Sequence, residues 1–191
     1  QADVRALVDM GIDQLSTYPM FSFPYSDLGR AKGLRQVERP PHPVVKGMLK
    51  HTADYCGAKG LHRCAVWSWL RHGKNKFSSV TRHHYIGFGP SAASMTGSDF
   101  YVNTFDVNAY SRTLPSRRPV ALSMPVDRRT AMAYWLYWRV YELKISEGDF
   151  RSVFGSGASL DAEFGRWLRM LAHMKLLERD AGGYHATATG A

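Results

Sequence analysis

The residues able to do chemistry crowd into one third of the chain. His62, His72, His83 and His84 lie there with Cys56, Cys64, Ser91 and Asp99. A metal site would want two imidazoles at i and i+4 on a helix, or alternating on a strand beside a carboxylate. His83 and His84 are adjacent and would face opposite sides of any strand, so no metal site is expected. Histidines in a loop beside an anionic ligand fit better. Ser91, Asp99 and either His83 or His84 have the residue types of a hydrolytic triad. Ser91, however, stands in Gly-Pro-Ser-Ala-Ala rather than in the Gly-x-Ser-x-Gly elbow, so no catalytic residue is assigned. The two cysteines form no C-x-x-C pair, which argues against a disulfide framework and against a closed zinc site. A reducing cytoplasm is the default reading.

The densest signal is the run from His84 to Asn103, HYIGFGPSAASMTGSDFYVN. Glycines separated by single residues, followed by small side chains, suit a backbone that must come close to something. The run lacks one glycine of the dinucleotide fingerprint, and no helix with a suitably placed acidic residue follows it.

The elements around it read as follows. Residues 3–10 form a helix ended by Gly11, Ile12 to Phe21 a buried strand, and Ser22 to His42 a loop. Pro43 to Ala58 is a second helix with Val44, Met48, Leu49, Thr52 and Tyr55 on its buried face, and His62 to Leu70 is a strand. This alternation predicts a parallel α/β sheet or barrel, with ligands at the carboxyl ends of the strands. After Leu114 the stretch LPSRRPV reads as a linker. Asp127 caps a helix containing Trp135, Leu136, Arg139, Val140 and Leu143, a shorter helix covers Glu147 to Phe154, and Leu160, Phe164, Trp167, Leu168, Leu171 and Met174 mark a third. The tail is a β-hairpin turning at Asp180-Ala-Gly-Gly183. Three helices and a hairpin make a winged-helix pattern. The division is therefore 1–114 and 115–191. Arg166, Arg169, Lys175 and Arg179 invite a DNA-reading interpretation of the last helix, set behind because its polar stripe is narrow and interrupted by Asp161 and Glu163.

A net charge of +9 suits an acidic partner and suits a basic enzyme equally well. A hydrophobic fraction of 45% excludes disorder. No apolar run approaches the roughly 20 residues that span a bilayer, which reads as a soluble protein. The opening QADVRALVDM has no initiator Met and reads as the end of a helix already under way, hence as a fragment.

Taken together, FSSVTRHHYIGFGPSAASMTGSDFYVNTFDVNAYSRTL resembles the segment of oxygen-independent coproporphyrinogen III oxidases and their radical S-adenosylmethionine relatives that carries a Gly-x-Gly-x-Ser-Ala-x-Ser-Met-x-Gly run, then a Tyr, an Asn and a later Tyr. Here these are Gly87, Gly89, Ser91, Ala92, Ser94, Met95, Gly97, Tyr101, Asn103 and Tyr110. The opening GIDQLSTYPMFSFPYSDL is similar to that family's sixth barrel strand and the following loop, and LLERDAGGYHATATG to its C-terminal wing. The resemblance implies an α/β fold: the C-terminal part of a partial (β/α) barrel, followed by a small helical, winged-helix-like domain. It implies S-adenosylmethionine contacts at Phe77, Ser78, Gly87, Gly89, Ser91, Ala92 and Ala93. It also implies a [4Fe-4S] cluster, an electron donor such as flavodoxin or ferredoxin, and oxidative decarboxylation of a porphyrinogen's propionates in haem biosynthesis. Arg82, Lys76 and His84, with Arg71, His72 and Lys74, could pair with the carboxylates of that tetracarboxylate substrate. The family's C-x-x-x-C-x-x-C motif needs three thiolates and the chain has two cysteines, so the cluster is expected upstream of Gln1. Alternatives are a methyltransferase or haem-processing relative, or a non-catalytic module binding a tetrapyrrole or DNA.

Overall fold

Helix α1 (Ala2–Asp9) ends where Gly11 takes φ +81°, a left-handed conformation open to a residue without Cβ. Strand β1 (Gln14–Ser16) is much shorter than the expected Ile12–Phe21. Helix α2 (Asp27–Gly33) lies inside the expected loop and is started by Ser26, whose hydroxyl accepts the Gly29 N–H at 3.1 Å. The computed structural model describes residues 1–20, 23, 26–33, 40–77 and 82–190. The chain divides into two compact units, Gln1–Phe77 and Ser78–Ala191, and the composition change after Leu114 falls inside the second.

Helix α3 (His42–Ala58) starts with a proline in its first turn, as expected. Its inner face is rotated from the predicted one. Thr52 and Cys56 are buried and Val45 and Leu49 half-buried, whereas Val44 and Met48 are exposed. The predicted strand His62–Leu70 is a hairpin, β2 (Leu61–Ala65) and β3 (Ser68–Arg71). Arg63 grips its turn through two bonds to the Val66 carbonyl, from Nε at 3.2 Å and Nη2 at 2.7 Å. The sheet order is β1-β3-β2 with both pairs antiparallel. Strands β1 and β2 therefore run in the same direction, as the α/β alternation requires, but β3 sits between them. Val8, Leu15, Cys56, Leu61 and Trp69 form this unit's core.

The second unit begins with β4 (Ala93–Met95), β5 (Asp99–Asn103), α4 (Val107–Thr113) and β6 (Val120–Pro125). The strands pair antiparallel in the order β4-β5-β6. Their register places Ala93, Val102 and Leu122 side by side, and likewise Met95, Phe100 and Met124. Alternation makes that face apolar and gives the other to Ser94, Tyr101 and Ser123. Neither α4 nor β6 was expected, and LPSRRPV is the turn between them.

Helix α5 (Arg128–Tyr141) is capped as predicted, Asp127 Oδ1 accepting the Thr130 N–H at 2.7 Å. Strand β7 (Lys144–Ser146), helices α6 (Glu147–Phe154) and α7 (Leu160–His173), and strands β8 (Leu177–Asp180) and β9 (Gly183–Ala186) follow. A helix, a short strand, two helices and a hairpin closing a three-stranded β7-β9-β8 sheet is the winged-helix arrangement. Its core joins Trp135, Ile145, Phe150, Leu160, Leu168 and Tyr184, each contributing about 1.5–3 kcal/mol of apolar burial. Trp167 and Met174, expected on the inner face of α7, are exposed, and Leu160, Phe164, Leu168 and Leu171 form that face instead. Among the described residues no closed barrel and no parallel strand pair is present, and no helix is long and apolar enough to cross a membrane.

Candidate functional site

The glycine run is a loop pinned from within by three side chains. Asn103, 5% exposed, donates from Nδ2 to the Gly87 carbonyl at 3.3 Å and to the Gly89 carbonyl at 3.0 Å. Ser94, fully buried on the polar face of β4, accepts the Gly87 N–H at 3.0 Å through its hydroxyl. The Tyr110 hydroxyl, from α4, accepts the Gly89 N–H at 3.0 Å. Ser91, at φ 57°, donates its N–H to the Thr104 carbonyl at 2.9 Å. The Ser, Asn and later Tyr of the sequence pattern thus hold the shape of one loop.

The two glycines are there for different reasons. A Cβ on Gly87 would fall inside the radius of the Ala93 carbonyl oxygen and 2.9 Å from the Ala92 Cβ. What Gly87 comes close to is its own chain. Gly89 has φ +102° and open space where a Cβ would stand, so its requirement is conformational and its outer side is clear. The N–H groups of Gly87 and Gly89 are thus committed to bonds within the chain. The loop's outer surface consists of Phe88, 86% exposed, Ile86 and the small side chains of Ser91, Ala92 and Ala93.

Beside the loop, Tyr85 and Met95 exchange backbone hydrogen bonds of 3.0 and 2.9 Å. His84, Tyr85 and Ile86 on one side, with Met95, Thr96 and Gly97 on the other, line a recess of about 500 Å³. The Gly97 N–H donates to His84 Nδ1 at 3.1 Å. That bond needs a neutral ring carrying its proton on Nε2, so His84 offers a hydrogen-bond donor rather than a metal-ligating lone pair or a cation. Tyr85 roots the segment on α5 through its hydroxyl, 3.1 Å from that of Tyr134. Burial, and then Tyr134, hold the Tyr85 phenol far above its ordinary range, so it stays protonated. His83 and His84 do not take opposite faces as they would on a strand. The segment bends, and their rings meet edge to face at 4.3 Å.

In the first unit, the Phe77 ring is 81% exposed while its backbone is fixed by a residue that sequence reasoning missed. The Gln14 amide donates to the Phe77 carbonyl and accepts its N–H, both at 2.8 Å. A lone Gln at a strand start carries no signal for such a clasp. Arg71 is a structural residue here, its guanidinium donating to the carbonyls of Ile12 and Lys59. Lys74 pairs with Asp13 at 3.3 Å, and His72 stacks on His62. Lys76 is half-buried in the first unit, and Arg82 is exposed in the second. Ser78 lies outside the described residues.

Two cysteines cannot supply three thiolates. Cys56 is buried, which pushes its thiol up and makes it a poor ligand. Among the described residues no group of three or more His, Cys, Asp or Glu side chains could hold a metal ion. These residues therefore do not fit an iron–sulfur cluster, whereas the space beside the Gly89 α-carbon is open.

No known family's sequence profile matches the chain, and no curated protein matches it in sequence. Among solved structures, coproporphyrinogen III oxidase from Escherichia coli, described as a radical SAM enzyme, aligns with 98% of this chain at a TM-score of 0.70 and 15% sequence identity. The chain spans 47% of that structure's length. By this likeness, the chain has the fold of the corresponding part of that enzyme.

Proposed function

We propose that this chain is the substrate-covering and S-adenosylmethionine-facing part of a radical S-adenosylmethionine enzyme of the coproporphyrinogen III oxidase type. The observation that carries the reading is the alignment of 98% of the chain with that fold. In this reading the outer side of Gly89 and the small residues Ser91, Ala92 and Ala93 receive the cofactor, whose contribution when bound is the one-electron oxidising power of the enzyme class. Asn103, Ser94 and Tyr110 are positioning residues that keep the loop in one shape. Phe77 offers an aromatic face, and Ser78 a polar neighbour by sequence position. His84 offers an Nε2–H to an acceptor on the substrate, with Arg82 and Lys76 as cationic contacts for its carboxylates. The cluster thiolates come from outside these 191 residues.

The test is product analysis with the native full-length protein, S-adenosylmethionine, a reductant and coproporphyrinogen. Loss of propionate carboxyl groups as carbon dioxide is expected. Methylated product would replace this reading by the methyltransferase relative, and no S-adenosylmethionine-dependent product would overturn both.

A further inference from the structure

The stretch Leu-Pro-Ser-Arg-Arg-Pro-Val, a linker by composition, borders a half-open cavity of about 270 Å³. Arg117 and Arg118 line it together with Thr104, Thr113, Ala109 and Val120. Ala109 and Thr113 stand one turn apart on α4, so they present one face of that helix to it. No hydrogen bond or ion pair reaches either guanidinium among the described residues. Between Thr104 and Pro125 the sequence holds Arg112, Arg117 and Arg118 against a single acid, Asp106. That carboxylate caps α4 by accepting the Ala109 N–H at 2.6 Å. The cavity is thus electropositive, lined by two arginines whose donors have no partner among the described residues.

From this geometry we infer a binding site for the carboxylate of a small organic acid, separate from the glycine loop and independent of the proposed function. A guanidinium meets a carboxylate in two parallel N–H···O bonds, and Thr104 and Thr113 are among the residues that line the cavity. Ala109 and Val120 give the remaining wall small apolar surfaces, which suit a short alkyl chain better than a bare oxyanion. The volume lies just below the range of pockets that take drug-sized ligands, which limits the occupant to a molecule smaller than those.

The experiment is a titration of the native full-length protein with propionate, acetate and inorganic phosphate at fixed ionic strength, followed by the amide NMR shifts of Ala109, Thr113 and Ala121. Saturable shifts with propionate are expected, with affinity about fourfold above acetate for the added methylene. Exchanging both arginines, Arg117→Gln with Arg118→Gln, should weaken propionate at least about tenfold, since hydrogen bonds to a charged group are lost. Both side chains are exposed, so the unfolding midpoint should not move. Ala109→Leu, which narrows the cavity and leaves the charge, should weaken the propionate response. Phosphate binding as tightly as propionate, unsaturable shifts, or a propionate affinity untouched by Ala109→Leu would each overturn the inference.

Discussion

Replacing Asn103 separates the loop-pinning account from a merely polar core position. Its amide can only donate toward Gly87 and Gly89, because both partners are carbonyl oxygens at 3.3 and 3.0 Å. Asn103→Ala removes two hydrogen bonds, each with a net contribution of about 1 kcal/mol, and strands two carbonyls in a nearly closed space. A loss of about 2–3 kcal/mol follows. Asn103→Asp is the sharper variant, because it keeps the volume and substitutes acceptors for the donor. Oxygen then faces oxygen twice, and the loss should reach about 3–5 kcal/mol, the desolvated and unpaired limit. Urea unfolding of the two variants beside the parent, with the midpoint read by circular dichroism, measures both. The predicted order of stability is parent, Asn103→Ala, Asn103→Asp. An aspartate variant as stable as the parent would refute the donor geometry, and one equal to the alanine variant would show that volume alone matters at this position.

Gly87→Ala and Gly89→Ala should differ, although both alter the same motif. The first drives a methyl group into the Ala93 carbonyl and should shift β4 at a loss of about 3 kcal/mol or more. The second meets no atom and costs about 1–2 kcal/mol of left-handed backbone strain. Their unfolding midpoints, measured side by side, give the comparison, and equal losses would contradict the close-approach argument. His83 provides a pH test. Burial above all, with the nearby Arg139 guanidinium, holds its imidazole below the ordinary range, and its Nδ1 has no hydrogen-bond partner among the described residues. The folded state then binds fewer protons than the unfolded one. The stabilisation is complete above about pH 6.5 and is lost as the pH falls through the lowered folded value. Unfolding midpoints from pH 7.5 to 5 should fall less steeply in His83→Gln than in the parent, and parallel curves would remove His83 as the cause.

What was legible followed from local physics. Asp127 announced α5, Pro43 placed the start of α3, and Asp180 to Gly183 marked the hairpin, because caps and turns are written in neighbouring residues. Helix α2 was hidden by a charged, glycine-containing stretch, and β7 is too short for a period to show. Strand β6 was not read from the sequence because both its faces are exposed, which leaves no burial pattern to read. Within the site, Gly87 and Gly89 stood out as residue types. The three side chains that shape their loop act on backbone atoms 7 to 21 residues away, and such pairings are made by topology. The bonds of Arg71 were hidden for the same reason, since nothing near it in sequence reveals that the Ile12 and Lys59 carbonyls fold back onto its guanidinium.

The central claim is that the Gly87 to Ala93 loop, in the shape Asn103 gives it, receives S-adenosylmethionine. Equilibrium dialysis of labelled S-adenosylmethionine against the native full-length protein and its Asn103→Ala variant, at a denaturant-free temperature where both are folded, tests it directly. The account predicts saturable binding by the parent and at least about tenfold weaker binding by the variant, the equivalent of 1.4 kcal/mol of lost preorganisation. No saturable binding by the parent, or equal affinity in the two proteins, would contradict it.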